Sequence, residues 1–554
     1  MRNGGVLRLA PPVTVLLMTG PIAAGLSGTV MTAADGGFTR LWNWPGLGAA
    51  VRLSVVTGVA ATLLSVGITL AIVAGLHGGR LFGAMTRALS PLLALPHAAA
   101  ALGLAFLIAP SGWIARMISP WATGWQQPPD ILILNDPMGL SLIAGLVIKE
   151  VPFLLLMVLA ALPQADAARR QMLTASLGYG RGSGWLFAVL PAIWPQIRLP
   201  VIAVLAYSMT NVDMAMILGP TRPPTLSMQV VLWMTSPDLM GRAPASAGAL
   251  LQLGLVLGVL ALLWGAERVI GCMGRLQAVS GRRLRWLDRP LSFVGGVSGL
   301  TIVALVAAGM AGLAVWSFAG LWSFPDALPV DITLRTWRQA APALAELSGT
   351  TLALGFLSTG AALLLTIGCL EAEARFGWRP GQRALVLLWL PLIMPQVAFL
   401  PGLAVLSLRA GLPGGLWTVA AAHLVFVLPY VFLSLSEAWR AWDGRIAVAG
   451  ATLGASPLRI LWQLRLPMLL GAILTASAVG LAVSVGQYLP TLLIGGGRVE
   501  TLTTEAIALS AGGNRRIIGA YAILQLLLPA IGFWLALLLP ALAFRHRLGM
   551  RSGV

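Results

Sequence analysis

Runs of about 20 apolar residues recur along the whole chain, and nothing else in it restricts the fold so strongly. Twelve can be marked, at 9–33, 48–76, 88–110, 138–162, 197–219, 245–266, 292–318, 347–369, 385–408, 414–436, 468–491 and 517–544. A backbone crossing hydrocarbon must satisfy its own amides, which leaves helices or closed barrels. Barrel strands would read as alternating segments of about 10 residues, and these runs do not alternate. The expectation is an all-α, polytopic membrane protein with about twelve transmembrane helices. Composition agrees: 10% of the 554 residues are charged, against about 25% in soluble domains.

The net charge of +18 suggests nucleic acid at first sight. The basic residues are spread through short loops instead of forming the patch such binding needs, so no nucleic acid is expected. In a membrane protein, loop cations report orientation. With the N-terminus inside, 24 of the 36 basic residues fall on the cytoplasmic side and 11 outside, with Lys149 within a span. Both termini are therefore expected in the cytoplasm; Arg498, Arg515 and Arg516 run against the rule. Residues 1–33 could be a cleaved signal peptide. The long run without a clear small-residue cleavage site favours a retained first span. Cys272 and Cys369 have no metal-ligand spacing and suit no disulfide.

The chain reads as two related halves. Gly178 and Pro191 are 13 residues apart, as are Gly454 and Pro467, and a shift of 276 relates the pairs. The same shift lays Thr225-Leu226 on Thr501-Leu502. Spans three and nine both open with paired prolines, "PLLALP" (91–96) and "PLIMP" (391–395). The division expected is residues 1–274, a basic cytoplasmic linker at 275–290, and residues 291–554. Six spans twice is a common plan for transporters.

The repeated loop is "LGYGRGSGWLFAVLP" (177–191) and "LGASPLRILWQLRLP" (453–467). In the second copy Ser456 and Pro457 form a hydroxyl cap followed by a first-turn proline. Leu458, Leu461 and Leu464 then share a face, and Pro467 is expected to end the helix. One such helix needs no more than a membrane surface to lie on. Two copies on equivalent loops suit a twofold partner. In the first copy, Gly180, Gly182 and Gly184 replace Ser456, Leu458 and Ile460, with Trp185, Leu186, Phe187 and Val189 as apolar face. Glycine costs about 1 kcal/mol per helical position, which predicts a looser helix there.

These stretches resemble the "EAA" loop of ABC importer permeases, in which Leu-Gly is followed about 13 residues later by Leu-Pro. The fusion of two units resembles the ferric-iron and thiamine branch, and 484–516 is similar to fused permeases grouped with putative thiamine uptake. The resemblance implies two separate ATP-binding cassette ATPases, a periplasmic solute-binding protein, and residence in the bacterial inner membrane. It implies ATPase coupling through Leu177, Gly178, Trp185, Phe187, Pro191, Leu453, Gly454, Ser456, Pro457, Leu461 and Pro467. The motif's glutamate is replaced by Met172 and Val448. No G-x-x-x-x-G-K-[ST] phosphate loop occurs, so ATP hydrolysis would fall to the partner. No catalytic residue, cofactor or resident metal is expected.

Charges within spans are costly and often functional. Lys149 and Glu150 are helix neighbours that cannot face each other, and Asp213 is a candidate partner for Lys149. At the 276 shift Asn211 meets Gln487 and Val212 meets Tyr488. Lys149, Glu150, Asn211, Asp213, Gln487 and Tyr488 are candidates for a translocation path; helix-locking polar contacts are the alternative. Glu371 and Glu373 read as solvated charges facing Arg375, and His97 as a polar helix end. An ion-gradient transporter with Lys149, Glu150 and Asp213 as proton relay would share the six-plus-six plan, but would not need two matched loops.

Overall fold

A computed structural model describes residues 5–89, 95–378, 381–412 and 414–545. The first half contains α1 (Gly5–Ala34), α2 (Leu47–Leu76), α3 (His97–Ile108), α4 (Leu140–Ala161), α5 (Leu190–Thr210) and α6 (Arg242–Val279). The second contains α7 (Asp288–Phe318), α8 (Arg335–Phe376), α9 (Gln396–Arg409), α10 (Leu416–Ala441), α11 (Leu470–Val485) and α12 (Arg515–Ala543). Among the described residues, ten helices are long and apolar enough to cross a bilayer, and twelve if two bent pairs each count as one span. The all-helical polytopic reading therefore holds.

Several spans are not the straight rods their hydropathy suggests. The ninth is broken: Leu387–Ile393 and Gln396–Arg409 meet at 93° across Met394-Pro395, where proline removes a helical donor. In the third, residues 90–94 lie outside the described residues, and the helix opens at His97 directly after Pro96. The fifth stops at Thr210 and resumes as a short helix, Asp213–Leu218. The eleventh stops at Val485 and resumes at Leu489–Gly495. The second break is the first one displaced by 276 residues, give or take a residue.

A helix stopped inside an apolar bundle exposes carbonyls that water cannot reach. Both halves solve this in the same way. Ser227 Oγ (3.4 Å) and Gln252 Nε2 (2.8 Å) donate to the Met209 carbonyl. In the other half Thr503 Oγ1 donates to the Val485 carbonyl, and Gln525 Nε2 donates to Thr503 Oγ1 at 2.7 Å. Each break is followed by a further short helix, Leu226–Thr235 or Leu502–Ser510. Ser54 on α2 accepts the Leu226 amide (2.9 Å), and Thr351 on α8 accepts the Leu502 amide (3.1 Å).

The halves are not two bodies side by side, because their first helices are exchanged. α1 packs on α9 and α8, and α7 packs on α2 and α3. Small residues permit the approach. A Cβ on Gly25 would overlap the Phe399 carbonyl, and one on Gly309 of α7 would lie 3.1 Å from the Gly103 carbonyl carbon of α3. Thr29 Oγ1 adds a hydrogen bond to the Ala398 carbonyl at 3.0 Å. Residues 275–279 of the expected linker continue α6, and α7 already begins at Asp288.

Candidate functional site

The repeated loops fold alike residue for residue. Helix Ala167–Ser176 corresponds to Gly444–Thr452. Each ends on a left-handed glycine, Gly178 at φ +83° and Gly454 at φ +82°. The amide after each glycine closes the turn, Tyr179 onto the Thr174 carbonyl and Ala455 onto that of Gly450, both at 3.0 Å. This is the geometry that a glycine beyond a helix end supplies without strain. A second helix then starts, at Arg181 or Pro457.

Each second helix contains a five-residue π turn, Trp185–Val189 and Leu461–Arg465. A proline follows two residues on, Pro191 and Pro467. The proline ring would press on the carbonyl four residues earlier, that of Phe187 or Gln463, and both lie in the widened turn. Pro467 therefore does not end its helix, as the sequence suggested. The helix runs to Met468, and a 74° bend separates it from α11. In the first copy the helix continues through Pro191 into α5 as one span, Arg181–Thr210.

The two copies differ in what anchors them. Glu371 is 4% exposed and accepts from Arg375 Nε and from Arg465 Nη1, both at 2.6 Å. Glu373 holds Arg440 through both oxygens, at 3.0 and 2.9 Å. The reading of these glutamates as solvated loop charges is thus corrected: they bind α8 to the second loop and to α10. Arg375 also donates to the Pro457 carbonyl at 3.2 Å. The first loop is held instead by residues just after α6. Arg285 Nε donates to the Gly178 carbonyl (2.6 Å), and Asp288 Oδ1 accepts the Ser183 amide (2.8 Å).

The first copy's glycines are packing positions. A Cβ on Gly180 would overlap Asp288, one on Gly182 would lie 3.0 Å from Leu291 Cδ1, and one on Gly184 2.6 Å from Thr174 Oγ1. The last contact is mirrored at the 276 shift with sizes exchanged, Gly450 facing Ile460. Trp185 is fully buried, and Phe187, Leu461, Gly178 and Pro467 are half-buried. Leu177 and Leu453 are 61% and 88% exposed, and Pro191, Gly454, Ser456 and Pro457 are exposed too. Met172 and Val448, at the position of the missing glutamate, are also exposed. Each loop therefore presents an apolar tip at its glycine turn.

The second candidate region lies at the helix breaks. Asn211 Oδ1 accepts the amides of Met214 (2.9 Å) and Ala215 (3.1 Å), capping the resumed helix. Asn211 Nδ2 donates to Asp213 Oδ1 (2.6 Å) and to the Tyr207 hydroxyl (2.5 Å). Tyr207 donates to the same carboxylate at 3.3 Å and packs on His97, ring centroids 4.6 Å apart. His97 Nε2 lies 3.6 Å from Glu150 Oε1. Lys149 Nζ donates to the Leu95 carbonyl at 2.5 Å. Lys149 is thus placed in the same cluster as Asp213, but no ion pair joins them among the described residues.

The second half places an amide pair and a phenol at the corresponding positions. Gln396, the first residue of α9 as His97 is of α3, donates to Gln487 at 3.4 Å. The Tyr488 hydroxyl crosses to Met216 Sδ of the first half at 3.0 Å. The breaks therefore meet at the junction of the halves. Sequence reading missed His423, which is buried with Nδ1 2.8 Å from Ser484 Oγ and Nε2 2.9 Å from Thr491 Oγ1. A lone histidine in an apolar run gives no sign of those partners.

A twice-repeated helical bundle, with exchanged first helices and broken spans meeting at the centre, is built for moving a solute across a membrane. The chain belongs to the family of inner-membrane ABC transporter permeases. It is 33% identical over 521 residues to the inner membrane ABC transporter permease protein YnjC of Escherichia coli (strain K12), covering 92% of this chain and 93% of that one. Residues 364–546 match the model for the binding-protein-dependent transport system inner membrane component. The putative 2-aminoethylphosphonate transport system permease protein PhnV of Salmonella typhimurium is 26% identical over 271 residues, 48% of this chain and all of that one. The spermidine/putrescine transport system permease protein PotC of Haemophilus influenzae is 26% identical over 170 residues, 30% of this chain and 66% of that one.

Proposed function

We propose that this chain supplies both permease units of a binding-protein-dependent ABC importer. Residues 1–274 and 291–554 act as the two permease units and 275–290 as the cytoplasmic link between them. Both termini and both repeated loops face the cytoplasm. Each loop enters a groove of one ATP-binding cassette ATPase, and closure of the ATPase pair drives alternating access. A periplasmic binding protein delivers the solute, which passes between the helix breaks lined by Lys149, Glu150, Asn211, Asp213, Gln487 and Tyr488. The fusion of two units supports the ferric-iron and thiamine branch.

One observation carries this reading. Two loops 276 residues apart share a left-handed glycine, a π turn and an exposed leucine at the tip. An interfacial helix has no need of such a match, and neither does a gradient-driven transporter.

The test is ATP turnover by the co-purified ATPase in lipid vesicles, with Leu453→Asp against the intact chain. Leu453 is exposed, so the change leaves the fold in place. Loss of ATPase binding or of stimulated turnover is expected. Unchanged binding would remove the loop from the coupling path.

A further inference from the structure

The second helices of the two loops begin with equivalent backbones and different caps. Ser456 (φ −67°, ψ 156°) accepts the Arg459 amide on its own hydroxyl, at 3.3 Å. Its counterpart Gly180 (φ −74°, ψ 175°) has the same extended backbone and no side chain. The amide equivalent to that of Arg459 is that of Ser183, and it goes to Asp288 Oδ1 at 2.8 Å. Asp288 lies 105 residues further along the chain and is the first residue of α7.

We propose that Asp288 is a positioning residue that caps the first docking helix from the opposite half, replacing the serine that caps the second. Three observations support this. Gly180 is required, because a Cβ there would overlap the Asp288 carboxylate. Two helix N-termini, at Arg181 and at Asp288 itself, converge on one carboxylate, and both dipoles favour its charge. The contact does not stand alone: Arg285 holds the Gly178 carbonyl, Leu291 lies over Gly182, and Ser292 Oγ donates to the Gly75 carbonyl at 3.0 Å. The start of α7 is thus fastened to both α2 and the first docking helix. Displacement of that helix is passed directly to the first span of the second half. The second docking helix carries its own cap and is tied instead to α8 of its own half, through Arg375 to the Pro457 carbonyl and Arg465 to Glu371. The two ATPase contacts are therefore unequal by construction.

The proposal rests on the docking reading above, and its test separates the two. Hydrogen exchange on the full chain in lipid nanodiscs needs no ATPase. Asp288→Ala should speed exchange of the 182–184 amides roughly fivefold, as expected for a lost cap, and leave 458–460 unchanged. Asp288→Asn keeps an acceptor oxygen and should exchange like the intact chain. Gly180→Ser alone should disturb the loop, since both groups then claim one space. Gly180→Ser with Asp288→Ala should restore protection, because the first helix would then carry the second helix's cap. Stimulated ATP turnover should fall with Asp288→Ala and recover with Asp288→Asn. Unchanged exchange in Asp288→Ala, or a double variant as unprotected as Asp288→Ala, would overturn the cap. Normal turnover in Asp288→Ala, under conditions where Leu453→Asp abolishes it, would overturn the positioning role. Turnover indifferent to Leu453→Asp would instead overturn the docking reading.

Discussion

Arg116 and Arg515 converge on one carbonyl oxygen, that of Ser111. Arg116 Nε reaches it at 3.1 Å and Arg515 Nη1 at 2.7 Å, from different halves of the chain. Arg515 Nη2 adds the Ser111 hydroxyl at 2.6 Å, and Arg116 Nη1 takes the carbonyls of Ser323 (2.7 Å) and Asp326 (3.2 Å). Both guanidiniums lie over the Trp316 ring, at 5.4 and 5.2 Å. This junction lies beyond the end of α3 remote from the repeated loops and holds the halves together there. It gives Arg515 a structural role that a count of loop charges could not show.

Hydrogen bonds to charged groups contribute about 1.5–3 kcal/mol. Arg116→Ala and Arg515→Ala should each lower the thermal midpoint in lipid. Because they share Ser111, the double variant should fall short of the sum by more than about 0.5 kcal/mol. Additive losses would show that the halves are not coupled there.

The exchanged pair within the repeated loops, Gly184 against Thr174 and Ile460 against Gly450, predicts a reciprocal rescue. Gly184→Ile should overpack against Thr174 and destabilise the loop by about 1–3 kcal/mol. Adding Thr174→Gly recreates the Gly450–Ile460 arrangement and should return most of it. Hydrogen exchange over 170–190 reads both states.

If the polar cluster lines the path, charge and not shape is what matters at Asp213. Asp213→Asn retains an oxygen for Tyr207 and Asn211 and should leave the midpoint nearly unchanged while lowering uptake at least about tenfold, since a charge at the bilayer centre is maintained against a cost of about 3 kcal/mol or more. A packing role predicts the reverse: unchanged uptake.

Burial first, and then the nearby Arg181 guanidinium, hold the His77 imidazole below the usual histidine range. His77 caps the end of α2 beside the first repeated loop and packs edge-on against Phe82, centroids 5.4 Å apart. A base with a lowered folded pKa binds protons more readily when its surroundings open. Local stability should therefore be full above about pH 6.5, the ordinary histidine value, and decline as pH falls below it. Protection factors over 178–190, exchange taken relative to its intrinsic rate at each pH, should fall on acidification toward pH 5, and His77→Gln should abolish that fall.

The carbonyls left open at the two helix breaks explain the glutamines in the last helix of each half, Gln252 on α6 and Gln525 on α12. Gln252→Leu should leave the Met209 carbonyl with only the long Ser227 bond. The expected cost is about 1–3 kcal/mol, read as a lower thermal midpoint. No change would mean that water or a neighbour replaces the amide.

By itself the sequence determined the solvent, the helix count and the repeat. Twelve apolar runs admit few other structures, because hydrocarbon leaves the backbone no outside partner. It also marked Gly178, Gly454, Pro191 and Pro467, since a left-handed turn and a missing amide are local demands that one residue type meets. Glu371, His423, Arg116 and Asp288 could not be placed that way. Each has its role through a partner 60 or more residues away, on a helix whose approach depends on small residues elsewhere. Only the tertiary structure decided that the first helices are exchanged between the halves, and that a carboxylate beginning α7 would do for one docking helix what a neighbouring serine does for the other. The physical reason is that capping requires an acceptor at a point in space, and chain distance does not enter.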